Sequence, residues 1–432
     1  MASPVGPSMI RAALLPVSAL GLLLALSVGA PAPAAAEGRW KWHSHRASHV
    51  AKRCAVIERA LDRLERPRFR FRERGPWRLF HRLRRHAIRR LAFRYADHCV
   101  SLNQVQVLGT HNSYHVQPVP ELIDAYVNFD PDAIFWEYTH RPLDEQFALQ
   151  GVRQIELDVY ADPEGGLHAL PFSQVVLTGN ERIPELEAPG MKVLHVVDLD
   201  VGTTCFTLIE CLTIVKTWSD ANPRHLPIVI LVETKDDQVL FIAPVPFGPG
   251  EFDDLDAEIR SVFPPSQLIT PDDVRGNAVT LEEAVLTRGW PTLAQSRGKV
   301  LFALDNGGQK RLDYMAGRPS LEGRVMFTPS SPGQPDAAFV KLNEPRGAPI
   351  AERVAEGYIV RTRADADTVE ARENDTGRRD VALASGAQYV STDYPDPNLL
   401  FSEYRVEIPD GRPGRCNPVN APPGCRNFAL ER

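Results

Sequence analysis

Short β-branched runs recur along the chain, separated by longer polar or helical stretches. They fall at Val105–Gly109, Gln154–Val159, Lys192–Val196, Ile228–Val232, Val300–Leu304, Arg324–Phe327, Tyr358–Val360 and Gln388–Val390. Runs this short and this continuously apolar are what parallel strands buried on both faces require. Helical segments lie between several of them, among them Asp253–Val262 and Thr207–Ser219, the latter with Thr203-Thr204 just ahead as N-cap candidates. Eight strands in βα alternation predict a (β/α)8 TIM barrel over residues 101–405. A doubly wound open sheet is the alternative, but no Gly-rich dinucleotide or phosphate-loop signature follows the first strand. Stretches rich in Pro and Gly at Pro244–Gly250, Pro329–Pro335 and Pro409–Pro423 read as loops, the last inside a Pro/Cys-rich tail, 406–432.

Ahead of the barrel the pattern changes twice. The only long apolar stretch, Ala12–Ala30, follows Arg11, contains Pro16 and Gly21, and leads to Ala34-Ala35-Ala36. That order predicts a secretory signal peptide over 1–36, cleaved near Ala36, rather than a membrane anchor. From 37 to 100 a helical arm is expected, with Val56, Leu61, Leu64, Leu79, Leu83, Ile88 and Leu91 at spacings near three and four, interrupted by Pro67 and Gly75-Pro76.

Composition narrows the class. With 432 residues, 43% of them hydrophobic, the chain buries a large core, which excludes a disordered protein and a small disulfide-stapled scaffold. Residues 39–94 hold nineteen Lys and Arg against four acids, a local net of +15, so the remainder carries −21 of the overall −6. A basic arm on an acidic body has two readings. It packs on the body, which Leu79, Leu83 and Leu91 need as a surface, or it contacts anionic lipid. Nucleic acid is not expected in an exported chain without a nucleic-acid module, and a monomer is expected. Six cysteines fit an oxidising compartment and allow fifteen pairings. Neighbours in sequence suggest Cys54–Cys99, Cys205–Cys211 and Cys416–Cys425; no C-x-x-C is present to suggest zinc.

The candidate chemistry follows the strands. The first ends in Gly109-Thr110-His111-Asn112-Ser113-Tyr114-His115, and the second presents Glu156 and Asp158 two residues apart on one face. The third runs into His195 with Asp198 and Asp200 beyond, and the fourth into Glu233 and Lys235. In a (β/α)8 barrel the C-terminal ends of the strands form the active-site mouth. Several carboxylates gathered there need a compensating cation. The oxygen-only set Asn112, Glu156, Asp158 and Glu233 suits Ca2+, with Mg2+ second; zinc would recruit His111 and His195 directly. Two histidines titrating near neutrality suit a general base and a general acid. We assign His111 as base and His195 as acid. Lys235, Lys341, Arg361 and Arg363 are candidates for binding phosphate groups. Asp393, after the last strand, would lie beside the first and could orient His111. His115, His140 and His168 read as structural or rim residues.

These residues resemble the secreted bacterial calcium-dependent, phosphoinositide-specific phospholipase C family. The resemblance is carried by Leu108–His115, Gly151–Tyr160, Val193–Asp198 leading to Thr203-Thr204-Cys205, Trp218–Pro223 and Leu231–Lys235. It spans roughly 105–400 and leaves the arm out. It implies a (β/α)8 barrel, two histidines as base and acid, and a metal at Asn112, Glu156, Asp158 and Glu233, acting on phospholipid at a membrane surface. A glycerophosphodiester phosphodiesterase on the same barrel is the alternative function, and an idle lipid-binding barrel a second.

Overall fold

The computed structural model describes residues 35–66 and 77–431. All but the last two residues of the expected leader, the Pro67 and Gly75-Pro76 interruptions, and the side chain of Leu79 lie outside the described residues. Among the described residues, 49–431 belong to one compact unit and 35–48 to a second.

The strands are β1 Val105–Thr110, β2 Gln154–Tyr160, β3 Lys192–Val193, β4 Ile228–Thr234, β5 Val300–Leu304, β6 Met326–Phe327, β7 Phe339–Lys341, β8 Ile359–Arg363, β9 Tyr389–Thr392 and β10 Gly414–Cys416. Eight of them run in the order β6-β5-β4-β2-β1-β9-β8-β7, every neighbouring pair parallel. A parallel bridge from Pro329 to Phe339 joins the two ends. The result is a nearly closed (β/α)8 barrel, as expected. Its strands are buried on both sides, with Ile155, Leu157, Ile230, Val232, Phe302 and Leu304 all fully enclosed, which is why they read as continuous apolar runs.

The membership of the barrel differs from the expectation in one strand. Lys192–Val193 pairs antiparallel with Val159 and Tyr160 at the end of β2 and lies off the barrel path. Its apolar neighbours Leu194 and Val197 bury in a satellite cluster with Tyr160, Ala169 and Leu186, not in the barrel wall. β2 pairs directly with β4, and the eighth strand is instead β7, beside β8, three residues that follow a Pro-rich loop and are too short to carry a periodic signal.

Helix boundaries shift as well. The helix expected at Thr207–Ser219 runs Leu208–Ala221, and its cap is Thr207, whose hydroxyl accepts from Glu210 N at 3.2 Å. Thr203 instead bonds the carbonyl of Cys205. The helix expected from Asp253 begins one turn earlier, at Pro249. Within 406–432, β10 pairs antiparallel with β1, and Glu431 accepts from Leu226 N and pairs with Arg153.

The arm holds two helices, α1 Ala35–Glu65 and α2 Trp77–Cys99, and Cys54–Cys99 ties the 49–65 part of α1 to the end of α2. Cys205–Cys211 and Cys416–Cys425 are the other disulfides, and no cysteine is free. Leu61, Ala92, Tyr95 and Ala96 join the barrel's own core cluster, with Ile88 and Leu91 partly buried against it. Leu83, expected to need a surface, is 58% exposed. The charge contacts run opposite to the arm's net charge. Asp97 takes Arg224 at 2.8 Å and Arg297 at 2.7 Å, and Glu65 takes Arg426 at 2.6 Å. Arg224 and Arg297 precede β4 and β5, and Leu293 N bonds Val100 O, so the arm covers the N-terminal ends of the strands.

Candidate active site

β1 delivers the first group of polar residues to the C-terminal end of the barrel. Gly109 lets β2 approach: a Cβ there would sit 1.8 Å from Gln154 Oε1. Past Thr110 the chain turns through Asn112, whose φ of +42° lies in the left-handed region that Asn tolerates. Ser113 Oγ fixes the turn to β2 by accepting from Glu156 N at 2.8 Å.

His111 and His195 each rest on a buried aspartate. His111 Nδ1 lies 2.8 Å from Asp393 Oδ1, so the orienting partner expected from the sequence is in contact. Arg363 donates to the other oxygen of Asp393 at 2.8 Å, and His140 Nε2 donates to the His111 carbonyl at 2.8 Å. Burial first, then the Arg363 charge, pushes His111 down to about 3, which keeps its ring neutral. The paired cations and imidazole hold Asp393 ionised despite its burial.

His195 is not on a barrel strand. It sits on the loop after β3, at a tight turn where Asp200 N donates to Val196 O at 2.9 Å. Gly202 lets that loop lie against the segment after β1, where a Cβ would meet Val116 O at 2.1 Å. His195 Nδ1 and His115 Nε2 both lie 2.7 Å from Asp200 Oδ2. The sequence reading passed over Asp200 as an orienting residue and left His115 as structural; together with His195 they form one cluster. The only sequence signal for it was Asp200's place five residues after His195. Asp198, two residues earlier, ties loops together by accepting from Phe241 N and Ile242 N at 2.8 Å each.

The carboxylates gather beside His111. Glu156 Oε1 is 3.8 Å from His111 Nε2, and Glu156 Oε2 accepts from Arg361 at 2.6 Å. Asp158 faces Lys235 at 3.1 Å, and Glu233 lies 3.7 Å from the same ammonium. Asp305, which the sequence reading did not select, pairs with Lys341 at 2.5 Å and lies with Glu156 and Glu233 in a group whose oxygens are within 4.8 Å of one another. It follows β5 directly. Burial pushes Asp158 well above the usual carboxylate range; burial, with Asp305 and Glu233 close by, pushes Glu156 up to about 7 against the pull of Arg361.

All four cations suggested for phosphate, Lys235, Lys341, Arg361 and Arg363, therefore stand at the mouth, each already facing an acid. The donor set fits a hard cation. Asn112 Oδ1 and the Oδ1 atoms of Asp158 and Asp305 are buried with no hydrogen-bond partner, oxygens that Ca2+ would satisfy. His140 and His168 pack against Tyr138 and Tyr160, consistent with structural roles.

A family model described as phosphoinositide phospholipase C, Ca2+-dependent, matches residues 100–418. No curated protein matches the chain. Among solved structures, a calcium-dependent phosphoinositol-specific phospholipase C from a Gram-negative Pseudomonas is 19% identical in one apo crystal form. That match covers 74% of this chain and 96% of that one at a TM-score of 0.45. A Ca2+-dependent phosphatidylinositol-specific phospholipase C from Streptomyces antibioticus is 18% identical, covering 69% and 96%, TM-score 0.43.

Proposed function

The chain belongs to the Ca2+-dependent phosphoinositide phospholipase C family of phosphodiesterases, and from that premise we propose that it cleaves phosphatidylinositol outside the cell, releasing diacylglycerol and an inositol phosphate by way of a cyclic phosphate. The observation that carries the reading is the pair of imidazoles, each held through Nδ1 by a buried aspartate. That anchoring turns the other ring nitrogen, Nε2, toward the mouth, where in His111 it also lies 3.4 Å from Arg363 Nη1.

In this reading His111 takes the proton of the inositol 2-hydroxyl as that oxygen attacks phosphorus. His195 gives a proton to the diacylglycerol oxygen as its bond to phosphorus breaks. Water then opens the cyclic phosphate with the two roles exchanged. Asp393 and Asp200 fix the ring tautomers and stabilise the imidazolium each ring becomes. Asn112, Glu156, Asp158 and Glu233, joined by Asp305, would hold Ca2+, which when bound offsets negative charge on the phosphoryl oxygens. Arg361, Arg363, Lys235 and Lys341 supply the remaining positive charge for the head group.

Access from a lipid surface is supported by the rim. Phe129, Phe241 and Leu400 are 91%, 73% and 92% exposed on loops that follow β1, β4 and β9, and an apolar rim around a polar mouth suits the boundary of a bilayer. Three formed disulfides suit an oxidising compartment.

The test is turnover of purified protein on phosphatidylinositol, phosphatidylcholine and glycerophosphoinositol, with and without a calcium chelator. Cleavage confined to phosphatidylinositol, abolished by chelator and giving a cyclic inositol phosphate, is the expected result. Preference for glycerophosphoinositol would favour the glycerophosphodiesterase instead.

A further inference from the structure

Along α2 a groove of about 980 Å3 opens between the helix and the C-terminal segment. Arg85, Arg89 and Arg90 line one wall and Arg412 the other, over a floor that includes Phe93 and Phe428. The three helix arginines are exposed. None of the four guanidinium groups has a hydrogen-bond or ion-pair partner among the described residues. The acids that could have served them are engaged elsewhere: Asp97 with Arg224 and Arg297, Glu65 with Arg426, and Glu431, on the groove itself, with Arg153. Arg85 and Arg89 stand at i and i+4, a spacing at which like charges destabilise a helix. A cluster kept unpaired against that repulsion is placed for an external anion.

We propose that this groove docks a linear phosphate polymer. Guanidinium groups pair bidentately with phosphate oxygens, and four of them flanking a channel meet successive phosphates of a chain. A bilayer is the poorer occupant on two grounds. The cations flank a concavity that a flat surface does not fill, and the arm covers the N-terminal ends of the strands, so a membrane held here faces away from the mouth. Nucleic acid is poorer because the two rings on the floor, Phe93 and Phe428, stand at 84° to each other with centroids 6.5 Å apart, so they do not present parallel faces to successive bases. A polymer docked at this pole leaves the mouth free to work while holding the enzyme near a phosphate-rich surface.

The experiment measures binding of full-length exported protein to end-labelled inorganic polyphosphate across a salt series. Three proteins are compared: wild type, a groove variant carrying R85Q, R89Q, R90Q and R412Q, and a control carrying K52Q, R53Q, R59Q and R63Q, exposed cations of α1 outside the groove. The groove variant is expected to lose at least ~10-fold in affinity, with the slope of log affinity against log salt reduced by about four. The control is expected to lose less than about threefold, and both should turn over soluble substrate like wild type. Equal losses in the two variants would overturn the groove in favour of diffuse attraction. Tighter binding to phosphatidylglycerol vesicles, or to single-stranded DNA of equal charge, would overturn the choice of occupant. Should the quadruple variant melt early, R412Q, on the opposite wall, must still weaken polyphosphate binding.

Discussion

The two poles of the barrel treat positive charge in opposite ways. At the mouth each cation faces an acid: Lys235 with Asp158, Lys341 with Asp305, Arg361 with Glu156, Arg363 with Asp393. At the other pole Arg85, Arg89 and Arg90 are exposed, Arg412 is half-buried, and none of the four faces an acid partner among the described residues. Burial accounts for the difference. An ion taken out of water is tolerated only when paired and hydrogen-bonded, so the mouth must balance its charges in place. An exposed guanidinium needs no partner, and surface pairing would contribute little. Net charge alone is therefore a poor guide to contacts. The basic arm meets the acidic body through Glu65 and Asp97, its apolar residues and a disulfide, while Arg85, Arg89 and Arg90 stay exposed.

The most direct way to break the mouth and spare the other pole is to remove an imidazole. His111→Ala and His195→Ala are each expected to lower turnover by ~10²–10⁴-fold with melting temperature and polyphosphate binding unchanged. Steady-state kinetics on phosphatidylinositol vesicles check this, and near-wild-type activity in either variant would remove that histidine from the mechanism. Excess chelator should have an effect of the same order, reversed by Ca2+ better than by Zn2+. Asp305→Asn should raise the Ca2+ concentration needed for half-maximal rate.

Cys54→Ala with Cys99→Ala attacks the other pole. Releasing a loop whose ends are 45 residues apart removes up to ~4 kcal/mol of stability in the chain-entropy account. The melting temperature should drop, while turnover of soluble substrate well below the transition stays the same. Lost activity with unchanged melting would mean that the arm and the mouth are coupled.

How much of this was legible in the sequence depended on periodicity and on distance along the chain. Long buried strands announced themselves, as did the placement of His111, Glu156, Asp158 and Glu233 at the barrel mouth, because each lies within or directly after an apolar run. The disulfides were legible because each joins neighbours. β3 misled because Lys192–Val196 has strand composition but turns back on β2, and residue pattern does not encode strand direction. β7 was missed because three residues carry no period. Asp305 and the sharing of Asp200 between His115 and His195 depend on which loops meet in space. The same is true of which side of the arm is covered: Leu83 and Leu91 have the same spacing signal, yet one is exposed and the other packs on the core.

Asp200→Asn sharpens the mouth side. It keeps the size and one acceptor of the aspartate but removes the charge that stabilises a His195 imidazolium. The expected loss is roughly 10–100-fold in kcat, within the range seen when a carboxylate supporting a histidine is removed. The decrease should fall on kcat rather than KM, with the pH–rate profile displaced. A loss in KM alone would point to loop collapse and leave His195 without a proton-transfer role.

The smallest expected effect tests how the arm is held. Burial works against ionised Asp97, but hydrogen bonds and charge from Arg297 and then Arg224 hold its carboxyl below the usual range. A carboxylate whose folded pKa is depressed contributes stability above its unfolded pKa and loses that contribution as pH falls through the folded value. The Arg224 contact is partly open to solvent, with Asp97 20% and Arg224 52% exposed, so that pair is worth no more than about 1 kcal/mol. Asp97→Asn should therefore lower the melting temperature slightly at pH 7, and the gap between variant and wild type should close as the pH is taken below the ordinary carboxylate range. A gap that persists unchanged at low pH would mean that shape, not charge, holds α2 at this point, leaving Leu61, Ala92, Tyr95 and Ala96 to account for the docking of the arm.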